Sequence, residues 1–360
     1  MSKRGLSRRE FLGGSVLVGS GLVMPTFLSL LQYRQANAQA KPLNAAMSSA
    51  GLAGTWNAQG KAAAEYYCKL LGVNLTWFDG EFDPSKQRAK FDQIATQKWD
   101  FVAVQPNSIG TLAEPITALT KAGIPVIDMD TLIAPLAQLK TMGVLTLIAP
   151  DNVFMSEAVV TKLVEKMGGK GKVAHTWGQQ GHTGAQGRAQ GFYNIMKKNP
   201  DIQVVDDEFG DWDVAKVANI WQSILNKHPD LTGGFCHNDD MALSARKVVE
   251  DAGLTKQVTI VGIDAMPPAV QAVADGKLAA TARNSANRIH GWAVIAGVYA
   301  ATVGLDKARS SVPGFVLADG PAIYGDIDSN ASLADTPWKL RGYGQSTVPG
   351  QLWLEDQFLF

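Results

Sequence analysis

The 360-residue sequence holds few of the residues that build reactive centres, with only two cysteines and five histidines. Cys68 and Cys236 lie far apart in separate apolar segments, so we expect two buried, inert thiols rather than a disulfide. No His, Cys and carboxylate spacing typical of a metal site occurs, and the nucleophile-elbow and phosphate-loop patterns are missing too. The sequence therefore predicts no metal site and no cofactor, and it offers no catalytic residue.

The sequence also lacks an excess of charge of either sign, because 33 basic residues balance 33 acidic ones. The first forty residues hold five of the basic residues and one of the acidic ones. The remainder has 28 basic and 32 acidic residues, a net charge near −4. A chain of this charge has no basic surface for nucleic acid or an anionic membrane, and we expect neither as a partner.

Residues 1–40 have the features of an export signal. Arg8 and Arg9 lie in the string Ser-Arg-Arg-Glu-Phe-Leu, and an uncharged, mostly apolar stretch covers residues 11–31. Ala-Gln-Ala at 38–40 has the small-x-small pattern that signal peptidase recognises. The paired arginines followed by Phe-Leu resemble a twin-arginine signal, so we expect a periplasmic protein, or one at the cell-envelope exterior. The alternative is a permanent anchor, although glycine, serine and proline make the stretch a weak membrane span.

From residue 43 onward, short apolar runs alternate with segments of helical periodicity. Residues 101–105 and 124–129 are almost wholly apolar, and such strands between helices indicate parallel sheets covered on both faces. The same pattern restarts after residue 151. The predicted fold class is therefore α/β, with two similar doubly wound parallel-sheet lobes joined by a multi-strand hinge.

Junctions near residues 149–150 and 281–285 are the candidate crossings between the lobes. They divide the chain into a signal peptide at 1–40, a first lobe of 41–149 plus 284–311, and a second lobe of 150–283 plus 312–325. Residues 326–360 are rich in Pro, Gly, Asp and Ser, and we expect a C-terminal extension that packs over the surface or contacts a partner.

Five strings in collinear order carry a resemblance to a known family. They are Ile-Pro-Val-Ile-Asp-Met-Asp at 124–130, Gly-Arg-Ala-Gln-Gly-Phe at 187–192, Asn-Asp-Asp-Met-Ala-Leu at 238–243, Val-Gly-Ile-Asp at 261–264 and Asp-Gly-Lys-Leu-Ala-Ala-Thr at 275–281. Over about residues 43–305 the chain resembles the ribose-binding group of periplasmic sugar-binding proteins of ABC importers. The resemblance implies a type I periplasmic binding protein fold with a ligand held in the cleft between the lobes.

The candidate ligand-binding residues of the second lobe follow its predicted strands. Arg188 presents several fixed donors near a helix start, and Asn238 offers both a donor and an acceptor. Asp264 ends a strand, where open α/β sheets bind ligands and a carboxylate can accept two hydroxyl hydrogen bonds. The resemblance places Trp212 at an aromatic stacking position, where a sugar's C–H face can pack on the ring. His182 lies in a loop that faces the predicted cleft, and ligand contact there is left open.

The first lobe contributes Asp130, which also follows an apolar strand, although a helix-cap or turn role is the alternative for this carboxylate. Trp56 and Asn57 stand where the family has its aromatic and polar ligand loop, and the resemblance implies that Asn284 at the hinge contacts ligand. This loop and Thr131, where ribose binders carry arginine, depart from the family pattern. Ribose itself is therefore in doubt, and a linear polyol is as good a candidate as a cyclic pentose.

These observations predict a monomeric, non-enzymatic solute-binding protein that takes a small sugar or polyol and delivers it to an ABC transporter permease. Two alternatives stay open. The protein is a sugar receptor for signalling or chemotaxis, or it is a periplasmic sugar-acting enzyme in which Asp130 and Asp264 do acid–base work.

Overall fold

The computed structural model describes residues 41–318 and 323–324. The predicted signal peptide at 1–40 and the predicted extension at 326–360 lie outside the described residues. In the first lobe the elements are β1 (Leu43–Ser49), α1 (Thr55–Leu71), β2 (Val73–Asp79), α2 (Pro84–Ile94), β3 (Phe101–Val104), α3 (Ala113–Lys121), β4 (Val126–Met129), α4 (Leu136–Leu139) and β5 (Thr146–Ala149).

The chain then builds the second lobe and returns to the first. The second lobe has α5 (Asn152–Lys166), β6 (Gly171–Trp177), α6 (Thr183–Met196), β7 (Ile202–Phe209), α7 (Val214–Lys227), β8 (Gly233–Cys236), α8 (Asp239–Asp251), β9 (Thr259–Val261), α9 (Pro267–Ala274) and β10 (Thr281–Ala282). The returning and final elements are α10 (Ala286–Val303), α11 (Leu305–Arg309), β11 (Phe315–Leu317) and β12 (Ile323–Tyr324).

Each lobe is organised around one parallel sheet. The first sheet has the strand order β11-β5-β4-β3-β1-β2 and the second has β7-β6-β8-β9. Strands β3, β4, β5 and β8 are buried at every position, as expected of short apolar strands with helices on both faces. The architecture confirms the predicted fold class of two similar α/β lobes.

The C-terminal strand corrects one predicted boundary. Residues 312–325 were assigned to the second lobe, but β11 at Phe315–Leu317 pairs in parallel with β5 and extends the first sheet. The chain reaches the second lobe only afterwards, where β12 pairs antiparallel with β10. The prediction was wrong because the sequence pattern predicts no strand between residues 129 and 151, where β5 lies, and so offers β11 no partner in the first lobe.

Helix α10 holds the first lobe together. It is buried on nearly all sides, with 15 buried residues, and packs against α1 and the face of the first sheet. Two glycines allow this close approach. A Cβ at Gly60 would lie 2.2 Å from the His290 ring, and one at Gly297 would lie 2.2 Å from the Phe101 ring. Among the described residues, no helix has both the length and the apolar character needed to cross a membrane.

Candidate ligand-binding cleft

A cavity lies between the lobes, at the carboxyl ends of the strands of both sheets. It is lined by Ala50, Gly54, Trp56, Asn57, Phe82, Gln105, Asp130, His182, Arg188, Trp212, Asn238, Asp264 and Asn284. All nine predicted site residues are in this set, namely Trp56, Asn57, Asp130, His182, Arg188, Trp212, Asn238, Asp264 and Asn284. Each lies after a strand end, in the first turn or two of the next helix, or at the hinge, as open α/β sheets require of a ligand site.

Arg188 organises the second-lobe side of the cavity. Its Nη2 donates to Asp264 Oδ1 at 3.0 Å, its Nε donates to Asn152 Oδ1 at 3.0 Å, and its Nη1 donates to the His237 carbonyl. The guanidinium is buried and lies 5.8 Å from the centre of the Trp212 ring. Since three of its five N–H donors are used within the protein, two remain for a bound molecule.

Asn284, at the crossing between the lobes, links residues of both. Its Nδ2 and its backbone N–H donate to Oδ1 and to the carbonyl of Asp264, both at 3.3 Å. Its own carbonyl accepts a hydrogen bond from Trp56 Nε1 at 2.7 Å. The indole therefore connects α1 of the first lobe to the hinge. Its neighbour Arg283, whose direction the sequence left open, is buried and does not line the cavity.

Asp130 is the buried carboxylate of the first lobe. Gln105 Nε2 donates to its Oδ2 at 2.9 Å, whereas its Oδ1 has no hydrogen-bond partner among the described residues. Burial raises the pKa of Asp130, and the positive charge of Arg188 opposes that shift. Asp128 does not line the cavity and accepts from the Ile133 backbone N–H at 3.0 Å; β4 ends before Asp130, whose positive φ turns the two carboxylates apart. Thr131 also turns away from the cavity and donates to the Pro106 carbonyl at 2.8 Å.

Several buried polar atoms of the cavity wall have no hydrogen-bond partner among the described residues. Three are acceptor oxygens, namely Asp130 Oδ1, Asn57 Oδ1 and Asn284 Oδ1. The fourth is a donor, the indole Nε1 of Trp212. A buried polar atom left unpaired costs about 1–3 kcal/mol, and such atoms normally have partners in proteins. All four atoms belong to residues that line the cavity, so a bound molecule rich in hydroxyl groups could supply their partners.

The histidines have separate roles. His182 caps α6, where its Nδ1 accepts from the Ala185 N–H at 3.3 Å, and its ring lines the cavity. Burial and nearby Arg188 lower the pKa of His182 to about 3, so the ring is neutral and Nε2 carries its hydrogen. His237 is not among the residues that line the cavity, and its Nε2 lies 2.8 Å from His175 Nε2. His290 is the fifth residue of α10 and its ring packs edge-on against Trp56 at 5.2 Å.

Four lining residues were not predicted, and Phe82 is the most informative. It lies between β2 and α2 in Gly80-Glu81-Phe82-Asp83, which matches Gly210-Asp211-Trp212-Asp213 between β7 and α7. In both strings the final aspartate caps the following helix, and it donates its own backbone N–H to the glycine carbonyl. This internal match between the lobes was the available signal for Phe82. The other three are Ala50, Gly54 and Gln105.

Phe82 and Trp212 both have a positive φ, and each ring packs directly against a glycine. Phe82 has φ = 51° and Trp212 has φ = 63°, a region that L-residues seldom adopt. A Cβ at Gly51 would come within 2.5 Å of the Phe82 ring, and one at Gly178 within 2.0 Å of the Trp212 ring. Asp130 and Asp264 also have positive φ, at 61° and 128°. Strained backbone of this kind concentrates at functional sites, where the surrounding structure holds it.

Comparison with known proteins agrees with this geometry. Residues 45–304 match the family described as periplasmic binding protein domain, and the chain belongs to that family. This confirms the resemblance found in the sequence. Members of this family are binding proteins rather than enzymes, and no group of side chains in the described residues is arranged to hold a metal ion.

Individual relatives are 27–29% identical to this chain over the aligned residues. The ribose import binding protein RbsB of Bacillus subtilis is 29% identical over 221 residues, which cover 61% of this chain and 69% of that protein. A xylitol-binding protein of Mycolicibacterium smegmatis is 28% identical over 224 residues, 62% of each chain. A solved ABC transporter solute-binding protein from Mycobacterium smegmatis with bound glycerol superposes with a TM-score of 0.72 at 27% identity, covering 82% of this chain and 97% of that one.

Proposed function

We propose that this protein is the periplasmic solute-binding protein of an ABC importer and that it closes on one small sugar or polyol in the cleft between its lobes. The observation that carries the proposal is the set of unpaired buried atoms at Asp130, Asn57, Asn284 and Trp212. Three accept hydrogen bonds and one donates, which suits a ligand whose hydroxyl groups both donate and accept.

The size and walls of the cavity support a small ligand. The space among the lining residues, counted with its opening to solvent, is about 380 Å³. Because this volume includes open solvent, the enclosed part of the cavity is smaller still. Phe82 and Trp212 add apolar surface from opposite lobes, against which C–H groups of a sugar or polyol can pack. Ligands of three to six carbons, like those named for the relatives, match these walls.

The same proposal includes export and partners. The string at residues 7–12 and Ala-Gln-Ala at 38–40 support export through the twin-arginine route. In the periplasm the closed form presents both lobes to a permease, and the protein performs no chemistry on its cargo. Incubation with candidate sugars tests the last point, because any conversion of sugar to product contradicts a pure binding role.

A thermal-shift screen tests the ligand class. The panel is D-ribose, D-allose, xylitol, glycerol and myo-inositol, each at saturating concentration, with citrate as an anionic control. A ligand at 100 times its Kd adds about 2.7 kcal/mol of stability, which raises the Tm of a protein of this size by about 4 °C. At least one sugar or polyol should give such a shift and citrate should give none. Flat curves for every sugar and polyol would contradict the proposed function.

A further inference from the structure

The first turn of α1 lies at the edge of the cleft without a cap of its own. The residue before this helix is Gly54, which makes no side-chain hydrogen bond, and the first turn has no acidic residue. Helix α2, by comparison, is capped by Asp83, and α8 is capped by Asn238. A 17-residue helix that begins this way leaves backbone N–H groups and the positive end of its dipole uncompensated within its own lobe.

The missing cap comes from the opposite lobe. Asp240, in the first turn of α8, accepts the Thr55 backbone N–H on Oδ2 at 2.9 Å and the Thr55 hydroxyl on Oδ1 at 2.8 Å. Asp240 itself is half-buried and lies two residues after the cavity residue Asn238. Thr55 directly precedes Trp56 and Asn57. The contact therefore joins the two segments that carry ligand-facing side chains of each lobe.

Two other hydrogen bonds across the cleft join neutral groups. Gln179 Nε2 donates to the Phe82 carbonyl at 2.8 Å, and the Leu132 N–H donates to Thr183 Oγ1 at 2.9 Å. In the contact between Asp240 and Thr55, by contrast, the acceptor is a carboxylate. Hydrogen bonds to a charged group are about twice as strong as those between neutral groups. The contact forms only when the lobes approach, so it contributes free energy to the closed state alone.

We propose that Asp240 is a positioning residue that caps α1 across the cleft and holds the closed lobes together without touching the ligand. This inference rests on the proposed function, because it assumes that the lobes close around a bound molecule. Its predicted signature is kinetic. Loss of the cap speeds opening and release of the ligand, whereas association, which starts from the open form, stays unchanged.

Two variants test the cap from opposite sides. Asp240→Asn keeps the shape and removes the charge. Thr55→Pro removes both donors, and proline is compatible here because Thr55 is the first helical residue and Gly54 has φ = −81° and ψ = 134°. Asp251→Asn, at the exposed other end of α8, is the control for loss of one negative charge.

Stopped-flow kinetics are measured with whichever of D-ribose, D-allose and xylitol gives the largest thermal shift. Each variant should raise the dissociation rate roughly three- to tenfold, the size expected for a lost helix cap, with association unchanged within about twofold. The double variant should be no faster than Thr55→Pro alone, because Thr55→Pro already removes both donors of the contact that Asp240→Asn weakens. Dissociation rates equal to that of the control, or effects that add in the double variant, would overturn the proposal.

The two claims, sugar or polyol binding and the cap from Asp240, can fail independently. If none of the three probes binds, the sugar or polyol assignment fails, and small-angle scattering of the unliganded protein then tests the cap. A larger radius of gyration for Asp240→Asn than for Asp251→Asn supports the cap. Equal radii overturn it.

Discussion

Phe82 and Trp212 are aromatic residues at matching positions of the two lobes, and both line the cavity. Each follows a Gly-acidic pair, each has positive φ, and each ring lies over a glycine of the neighbouring loop. Only the second-lobe ring was predicted, because the family resemblance marked that position. Trp56, predicted as the first lobe's stacking ring, does line the cavity, but its Nε1 is tied to Asn284.

Removing the Phe82 ring should weaken ligand binding. We expect Phe82→Ala to raise the Kd about tenfold or more, because the ring's apolar area no longer covers the C–H groups of the ligand. Isothermal titration with the best sugar of the thermal-shift panel measures the change. Phe154→Ala is the control, since Phe154 is 42% exposed and lies outside the cavity. A wild-type Kd for Phe82→Ala would contradict the role given to this ring.

His290 should make stability depend on pH. Burial lowers the pKa of His290 to about 4, whereas an unfolded histidine titrates near 6.5, so between these values the unfolded chain binds the extra proton. The contribution of His290 to the free energy of unfolding therefore falls as the pH drops, by about 1.4 kcal/mol for each pH unit.

Urea unfolding of the wild type and of His290→Gln at pH 7.5, 6 and 5 measures this effect. The stability advantage of the wild type should shrink from pH 6 to pH 5, and above about pH 7 it should be constant. An advantage that stays the same across all three pH values would show that His290 does not titrate in this way.

At the scale of elements, periodicity predicted most helices and strands because apolar runs and helical spacing are local properties of the sequence. It missed β5, which is only four residues long, and with it the pairing of β11. The spacing of apolar residues predicts a helix over 186–199, but α6 begins at Thr183 because His182 acts as its cap. Partner choice between distant strands and an unusual capping residue are tertiary effects, and a periodic pattern does not contain them.

The contact between α1 and α10 depends on the absence of a side chain at Gly60. In an unpacked helix, Gly→Ala stabilises by up to about 1 kcal/mol. At Gly60 the added Cβ would meet the His290 ring at 2.2 Å, so we expect Gly60→Ala to destabilise the protein by about 1–3 kcal/mol.

Chemical unfolding measures this cost, and a double-mutant cycle identifies its cause. In a His290→Ala background the ring is gone, so Gly60→Ala should cost much less than it does alone. An equal cost in both backgrounds would place the strain elsewhere in α1.

At the scale of the whole molecule, two lobes bring Asp130 and Asp264 to one cavity, with Asn284 at the crossing between them. Both carboxylates were predicted because each follows an apolar strand, and strand ends of a parallel sheet meet at one edge. The way their oxygens are shared was not predictable. Asp130 accepts a hydrogen bond from Gln105, and Asp264 accepts from Arg188 and Asn284. These donors are distant in sequence, so the contacts depend on how the folded chain places them.

The most direct test of the account is a calorimetric titration of Asp130→Asn and Asp264→Asn with the sugar or polyol that stabilises the wild type most. If one ligand contacts both lobes, each substitution should weaken binding at least about tenfold, the size of a lost hydrogen bond to a charged group. The unliganded variants should keep the circular dichroism spectrum of the wild type. Wild-type affinity in both variants would contradict a ligand site between the lobes.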